Sequence, residues 1–292
     1  MLGWLIVNAY VKSEKFEEIF CMLIQAGERQ GCKIERYTNE EVWLMAARRG
    51  YDLSEEAQDV GFVIFWDKDV KLARMLERQG MRLFNSAEGI AVCDDKAETH
   101  IALLNQGIRM PKVYFGPKTF RTDECPCMDY YLAAAKDMGY PCILKECFGS
   151  FGQQVYLVHN KEELVSVVRS VFPRNFFLQE YIASSRGRDI RIHVAGDRAV
   201  AAMYRYNPSD FRANLTNGGK MKPYEPNARQ EEMALKVCRI LGLDFAGIDI
   251  LFGEGDEPVF CEANSNAHFK NLYDCTGINV ADDIIAHILG ME

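Results

Sequence analysis

The 292 residues hold no apolar run near the ~20 that cross a bilayer as a helix, which argues against a membrane protein. Basic residues are not in excess. Lys and Arg number 34 against 42 Asp and Glu, a net charge of −8, so the footprint of a general nucleic-acid binder is missing. The ten cysteines contain no C-x-x-C pair. Cys125-Pro-Cys127 is the one tight pair, and its spacing does not support a zinc site. Scattered through apolar segments, these thiols read as reduced and buried in a cytoplasmic protein. The start, Met1-Leu-Gly-Trp-Leu-Ile-Val7, lacks a basic region and a small-residue cleavage site, so it reads as a first strand and not as a signal peptide. No G-x-G-x-x-G follows that strand and no G-K-[ST] occurs, which excludes a dinucleotide fingerprint and a Walker loop. Internal repeats, low-complexity runs and disordered linkers are absent too. What is present is 48% apolar residues, enough for a sizeable core divided among two or three lobes.

Residues 1–92 alternate strand and helix patterns. Strands are expected at 3–9, 32–37, 60–66 and 81–84, and helices at 15–30 and 70–78, with 38–58 ambiguous. That order predicts a small parallel sheet with helices on its faces. Ser86 is an N-cap candidate for a helix over 87–92, and a second helix begins at Asp94-Asp95-Lys96 and runs to about Gln106. A loop is expected over 117–128 and a helix over 128–138. Capping boxes at Asn160/Glu163 and Asn227/Gln230 open helices over 160–171 and 227–241. Strands are expected at 176–182, with a hairpin over 190–194 and 199–206, and a closing helix over 280–289.

The polar residues that interrupt apolar strands are the candidates for chemistry. Ala246-Gly-Ile-Asp-Ile-Leu-Phe252 and Pro258-Val-Phe-Cys-Glu-Ala-Asn264 read as a hairpin broken by Asp249, Glu262 and Asn264. Glu262 and Asn264, two apart, share one face of a strand. If the register sets Asp249 opposite them, two carboxylates and an amide converge, a donor set for Mg²⁺. A Lys or Arg partner for Asp249 is the alternative. Lys145 ends a second apolar strand beside Gly149-Ser-Phe-Gly152, whose backbone amides suit phosphate oxygens; a snorkelling Lys on an ordinary hairpin is the alternative there. Residues 210–220, carrying Arg212, Asn214 and Gly218-Gly219, form a polar loop able to order on a ligand.

Lys96, Lys145, Gln179-Glu180-Tyr181, Asp189-Ile-Arg191, Arg212-Ala-Asn214 and Asp249…Glu262-x-Asn264 occur in one order, from about Leu83 to the C-terminus. That set resembles the ATP-grasp superfamily, and within it the RimK-type carboxylate–amine ligases. The resemblance implies a mixed α/β architecture: an ATP-grasp domain over 93–292, with lobes of 93–182 and 183–292, behind a small α/β domain over 1–92. It implies that Lys96 and Lys145 hold ATP phosphates, that Glu180 and Tyr181 meet adenine largely through backbone, and that Asp189 binds ribose. By the same resemblance Asp249, Glu262 and Asn264 bind two Mg²⁺ ions, with Mn²⁺ as a substitute, and Asn214 reaches the reacting centre. Arg191 and Arg212 are the candidates for stabilising the tetrahedral oxyanion. The implied reaction forms an acyl phosphate from a substrate carboxylate and ATP, which an amine then attacks; glutamate is the foremost amine, and a homo-oligomer is compatible with it. A kinase on the same scaffold and a non-catalytic nucleotide-binding module are the rivals. Two departures stand out. Ser265-Asn-Ala-His268-Phe replaces the family's usual Ser-Pro-Gly, which makes His268 a candidate substrate contact, and Glu146-Cys147 follows Lys145 where Pro is common.

Overall fold

The computed structural model describes residues 1–120, 125, 127–150 and 152–291. The loop expected over 117–128 and the glycine hairpin tip therefore fall partly outside the described residues, at 121–124, at 126 and at Phe151.

The first section folds as its alternating pattern dictates. β1 (Leu2–Val7), α1 (Glu14–Arg29), β2 (Lys33–Thr38), α2 (Asn39–Arg48), α3 (Ser54–Asp59), β3 (Val60–Trp66), α4 (Val70–Arg78) and β4 (Leu83–Phe84) follow in order. The four strands make a parallel sheet, β2-β1-β3-β4. The ambiguous stretch resolves into α2 and α3. Thr38 and Glu41 form a capping box that starts α2, a signal present in the sequence but not read from it. β3 and α4 have the expected bounds, whereas β4 is only two residues long.

Ser86 caps α5 (Ala87–Asp94), and Asp95 caps α6 (Lys96–Leu103) by accepting from the Ala97 and Glu98 N–H groups. A second, antiparallel sheet follows, built from β5 (Val113–Phe115), α7 (Met128–Met138), β6 (Cys142–Glu146), β7 (Val155–Val158), α8 (Lys161–Val171) and β8 (Phe176–Glu180). Its order is β5-β8-β6-β7. Strand pairing ends at Glu180, two residues short of the expected end, so Tyr181 and Ile182 lie beyond it. At the start of α8, Asn160 caps as expected, but Glu163 accepts from the His159 N–H and the Asn160 amide instead of closing the box onto the N-cap backbone. The Asn227/Gln230 box is complete.

The third sheet contains β9 (Arg188–Ala195), β10 (Arg198–Tyr206), β11 (Lys220–Tyr224), then, after α9 (Ala228–Leu241), β12 (Phe245–Phe252) and β13 (Pro258–Asn264), in the order β11-β10-β9-β12-β13. β11 was not anticipated; it pairs Lys220–Tyr224 to β10 and so anchors the far end of the polar loop. α10 (Lys270–Thr276) and the expected α11 (Val280–Leu289) close the chain.

Two packing features fix the first sheet against the third. Ile284 and Ile285 of α11 share a core with Phe20 and Leu23 of α1, while Trp66 stacks on Phe245 with ring centroids 5.4 Å apart. Asn85, fully buried, donates to the Phe245 and Ser265 carbonyls and accepts from the Asp244 and Phe245 N–H groups. A buried amide so fully satisfied is a strong geometric tie. A further contact brings the segment after β13 close: a Cβ on Gly247 would sit 2.4 Å from the Ala267 Cβ, so only glycine lets that loop lie on β12.

Candidate active site

β12 lies between β9 and β13, and this sets the chemistry of its middle. Asp249 is opposite Arg191 on one side and Glu262 on the other, and Gly247 is opposite Asn264. The register therefore brings Asp249, Glu262 and Asn264 to one face, as the sequence pattern suggested. A bulge between Asp249 and Ile250 leaves Cys261 without a cross-strand partner.

The Arg alternative for Asp249 is present as well. Arg191 grips the Asp249 carboxylate with two hydrogen bonds, 2.6 and 2.7 Å, and Arg205 adds a third at 2.9 Å. Arg205 also makes a bidentate pair with Asp189, at 2.7 and 2.8 Å. The four charges form one buried chain between β9, β10 and β12. Burial pushes the Asp249 carboxyl up, but Arg191 and Arg205 outweigh it and hold it below the usual carboxylate range. Burial pushes Asp189 up, against its pair with Arg205, with the Asp249 charge adding to the rise. Of the two carboxylates that share Arg205, Asp249 is the one held firmly ionised. Arg205 was missed in the sequence, although a lone Arg inside the apolar run of β10 was a visible signal.

The two lysines reach the same region from other elements. Lys96, at the first position of α6, donates to the Gly149 carbonyl at 2.9 Å and lies 3.4 Å from Glu262 Oε1. Lys96 is therefore held by these contacts and not free in solvent. Lys145 is buried, and its Nζ is 3.9 Å from Cys261 Sγ. Burial pushes that thiol up to about 11, so it is neutral at pH 7 and does not neutralise the lysine. Glu180 turns its carboxylate onto the Lys112 N–H at 3.0 Å, which leaves backbone and the Tyr181 side chain toward the cleft.

The polar loop is docked in this structure rather than free. Arg212 donates to the Gly152 carbonyl at 2.7 Å and pairs with Asp210 at 2.9 Å, and Asn207 donates to the Asn217 carbonyl at 2.9 Å. Gly152 has φ +71, and a Cβ there would meet Asn214 Oδ1 at 2.7 Å, so loop and hairpin tip are in close contact.

Two spaces meet at these residues. A narrow cleft of about 100 Å³ between the second and third sheets is lined by Lys145, Tyr181, Asp189, Arg212 and Asp249, with Ile143, Val155 and Leu251 as its apolar wall. A wider cavity of about 430 Å³ lies between the first sheet and the third, lined by Lys15, Trp66, Asp67, Arg191, Asn264 and His268 among others. Gly152, Arg205, Asn214 and Glu262 line both. Ten of the eleven site residues expected from the sequence thus line one or both of these adjoining spaces, and Lys96 reaches them through Gly149 and Glu262.

An apolar wall, a glycine-bearing hairpin and an acidic hairpin meet across this cleft, an arrangement in keeping with the ATP-grasp class. Residues 93–288 match the family described as RimK-like ATP-grasp domain. A beta-citrylglutamate synthase B from Danio rerio is 30% identical over 77% of this chain, which spans 55% of that protein's length. A probable alpha-L-glutamate ligase from Xanthomonas campestris is 29% identical over 91% of this chain and 92% of its own. The crystal structure of a RimK domain ATP-grasp protein from Sphaerobacter thermophilus superposes with a TM-score of 0.70 at 20% identity, covering 99% of this chain and 100% of that one. The chain belongs to the RimK-like ATP-grasp family and is an ATP-dependent carboxylate–amine ligase. Its mixed α/β fold is the ATP-grasp fold preceded by a small parallel α/β unit. Ligases of this class use ATP with divalent metal ions, a carboxylate and an amine.

The residues present fit such an ion. Glu262 and Asn264 line the wider cavity, and a carboxylate offers about four lone-pair sites, of which Asp249 gives three to arginines. Among the described residues no three Asp, Glu, His or Cys side chains make a cage of their own. This suits Mg²⁺, which keeps waters and phosphate oxygens among its ligands. Among the described residues no helix is long and apolar enough to cross a membrane.

Proposed function

We propose that this ligase adds an amino acid, glutamate foremost, to a carboxylate on a peptide, protein or small metabolite in the cytoplasm. The nucleotide occupies the narrow cleft, and the amine and carboxylate substrates occupy the wider cavity. In this reading Lys96 and Lys145 hold the phosphates, Glu180 and Tyr181 the adenine, and Asp189, with Arg205 behind it, the ribose. Asp249, Glu262 and Asn264 hold two Mg²⁺ ions, which when bound neutralise charge on the transferred phosphoryl group. Arg191, already aligned by Asp249, stabilises the oxyanion of the tetrahedral intermediate, with Arg212 and Asn214 closing over the reacting atoms. The division into 1–92 and 93–292, with lobes of 93–182 and 183–292, is part of the same proposal.

One observation carries it. Glu262, Asn214, Arg205 and Gly152 line both spaces, so a phosphate end in the cleft meets a carboxylate in the cavity at the two cations Arg191 and Arg205. The glutamate ligase relative supports the choice of amine, and ten free thiols support a reducing compartment. The His268 side chain also faces the wider cavity, with its ring edge-on to Phe16 at 5.2 Å. Burial first, with the charges of Lys15 and Arg191, pushes it down to about 4, so it meets substrate as a neutral ring.

The test is incubation with Mg-ATP and a pool of carboxylates and amino acids. Phosphate release that requires both substrates and yields an amide bears the proposal out. ADP formed without phosphate would identify a kinase, and no nucleotide turnover with any pair would leave a binding module.

A further inference from the structure

The wider cavity holds a carboxylate that neither the nucleotide nor the metal uses. Among the described residues only two acidic side chains line it, Glu262 and Asp67. Glu262 faces Lys96 and the metal position. Asp67, at the end of β3, is only 3% exposed. Its Oδ1 accepts from the Asn8 amide at 2.9 Å and from the Lys68 N–H at 2.7 Å. Its Oδ2 is buried with no hydrogen-bond partner among the described residues; the Asn39 amide contributes only weakly. The neighbouring cation does not serve it: Lys68 turns to Asp94 at 2.7 Å. A buried carboxylate without a cation is costly, and burial, reinforced by the Asp69 charge, pushes this carboxyl up.

Two more buried atoms without partners belong to residues lining the same cavity, Trp66 Nε1 and His268 Nδ1. Trp66 Nε1 can only donate. Thus residues of β3 and its end and of the segment after β13 that line this one space carry a carboxylate, an indole N–H and a neutral imidazole with unmet hydrogen-bonding capacity, and Lys15 and Arg191 line it too. An α-amino acid, with an ammonium at one point and a carboxylate at another, matches that set of groups.

We propose that Asp67 determines specificity for the amine substrate by binding its positively charged nitrogen in the wider cavity. The inference rests on the reading that this cavity receives the amine. Asp67 Oδ1 locks the ends of β1 and β3 together through Asn8, and Oδ2 is left for the ligand. A substrate analogue with the same carbon skeleton but no amine leaves Asp67 uncompensated and is rejected.

Calorimetric titration of the full chain tests this. The chain is first saturated with Mg-ADP. Each protein amino acid is then titrated, and the tightest binder is compared with its des-amino acid. The amino acid should bind at least about tenfold more tightly, the size of one charge-assisted hydrogen bond. Asp67→Asn should remove that discrimination while Mg-ADP affinity stays within about twofold. Asn8→Ala, which breaks the β1–β3 lock but keeps the charge, should preserve it, and Asp67→Ser repeats the test should the Asn variant fail to fold. Failure of Mg-ADP to bind would overturn the nucleotide reading. If Mg-ADP binds, then no amino acid bound, a des-amino acid bound equally well, or discrimination kept by both Asp67 variants would each overturn the Asp67 proposal alone.

Discussion

The narrow cleft and the wider cavity share four residues yet differ in how their carboxylates are met. In the cleft Asp249 and Asp189 are paired with arginines before any ligand enters, Asp249 with Arg191 and Arg205 and Asp189 with Arg205, as is the half-buried Asp210 with Arg212, whereas the buried Lys145 has no carboxylate partner among the described residues. In the cavity a carboxylate oxygen of Asp67, with Trp66 Nε1 and His268 Nδ1, has no partner among the described residues, while the cleft's own unpartnered atoms, Gln179 Oε1 and Tyr181 Oη, belong to uncharged side chains. A site that binds the same nucleotide each cycle gains from preorganised charge, because nothing has to reorient as the phosphoryl group moves. A site that selects one small molecule among many gains from groups that only the right ligand satisfies, since unpaired buried groups penalise the wrong one.

The sharpest way to break this contrast is at Asp249. Replacing it by Asn removes a proposed metal ligand and leaves Arg191 and Arg205 facing each other in the interior with one carboxylate fewer. We expect turnover to be lost altogether and stability to fall by on the order of 3–5 kcal/mol, the usual result of breaking a buried ion pair. Glu262→Gln, whose side chain is partly exposed, should abolish turnover with little change in melting. Thermal denaturation of both variants beside an ATP-turnover assay separates the two roles. Equal melting temperatures for the two would mean that Asp249 carries no structural load.

Lys145→Ala comes next. The lysine is buried against a neutral thiol and lies among the described residues with no carboxylate within 4.0 Å, so its charge is free for phosphate oxygens. A loss of about 10²–10³ in turnover is expected, the scale of one preorganised charge-stabilising group. A change smaller than about threefold, within the noise of a surface substitution, would place its role outside the reaction.

The cleft was legible in the sequence and the cavity only in part, for a physical reason. Lys145, Asp249 and Glu262 interrupt apolar strands, and a charge in a core strand announces itself. The hairpin register that brings Asp249 opposite Glu262 follows from short-range pairing alone. Arg205 was equally conspicuous but needed the β9–β10 register to connect it to Asp189 and Asp249. Asp67 and His268 carry no such signal. They are polar residues at element ends, where polar residues are ordinary, and they meet only because α11 packs on α1 and Asn85 ties the first sheet to β12. The polar loop over 210–220, expected to order on a ligand, lacks an apolar stripe and is nonetheless docked in this structure. Its anchors are hydrogen bonds to backbone carbonyls, which no hydropathy pattern records.

Acid should separate the two regions by a smaller effect. Burial pushes His193 down to about 3 and His100 and His268 down to about 4. For each, the unfolded chain takes up a proton near 6.5 while the folded chain remains neutral, so stability is full above that value and falls as pH drops toward about 4. The melting temperature should fall by on the order of 10 °C across that window. His268→Asn should reduce the fall by its own share, and an unaltered pH dependence in that variant would mean that the ring is not held neutral in the cavity.

The smallest change in rate, and the most informative about reaction class, is expected at Arg212. The cleft's volume of about 100 Å³ lies below the ~300–1,000 Å³ of a typical ligand pocket, so Mg-ATP enters only if loop and hairpin separate. Their contact is the Arg212 hydrogen bond to the Gly152 carbonyl, supported by Asn214 against Gly152. Once nucleotide is bound, the same guanidinium can return onto phosphate and shut water out of the acyl phosphate. Arg212→Ala should therefore weaken ATP binding by roughly two- to fivefold, as for one exposed charge-assisted contact, yet raise the ratio of phosphate released to amide formed. Protection of the loop from proteolysis by Mg-ATP should diminish in the variant. A kinase would show no such uncoupling, because a phosphorylated hydroxyl survives water and an acyl phosphate does not. An unchanged ratio together with unchanged protease protection would remove the loop from the reaction and leave the cleft's preorganised charges to do without a lid.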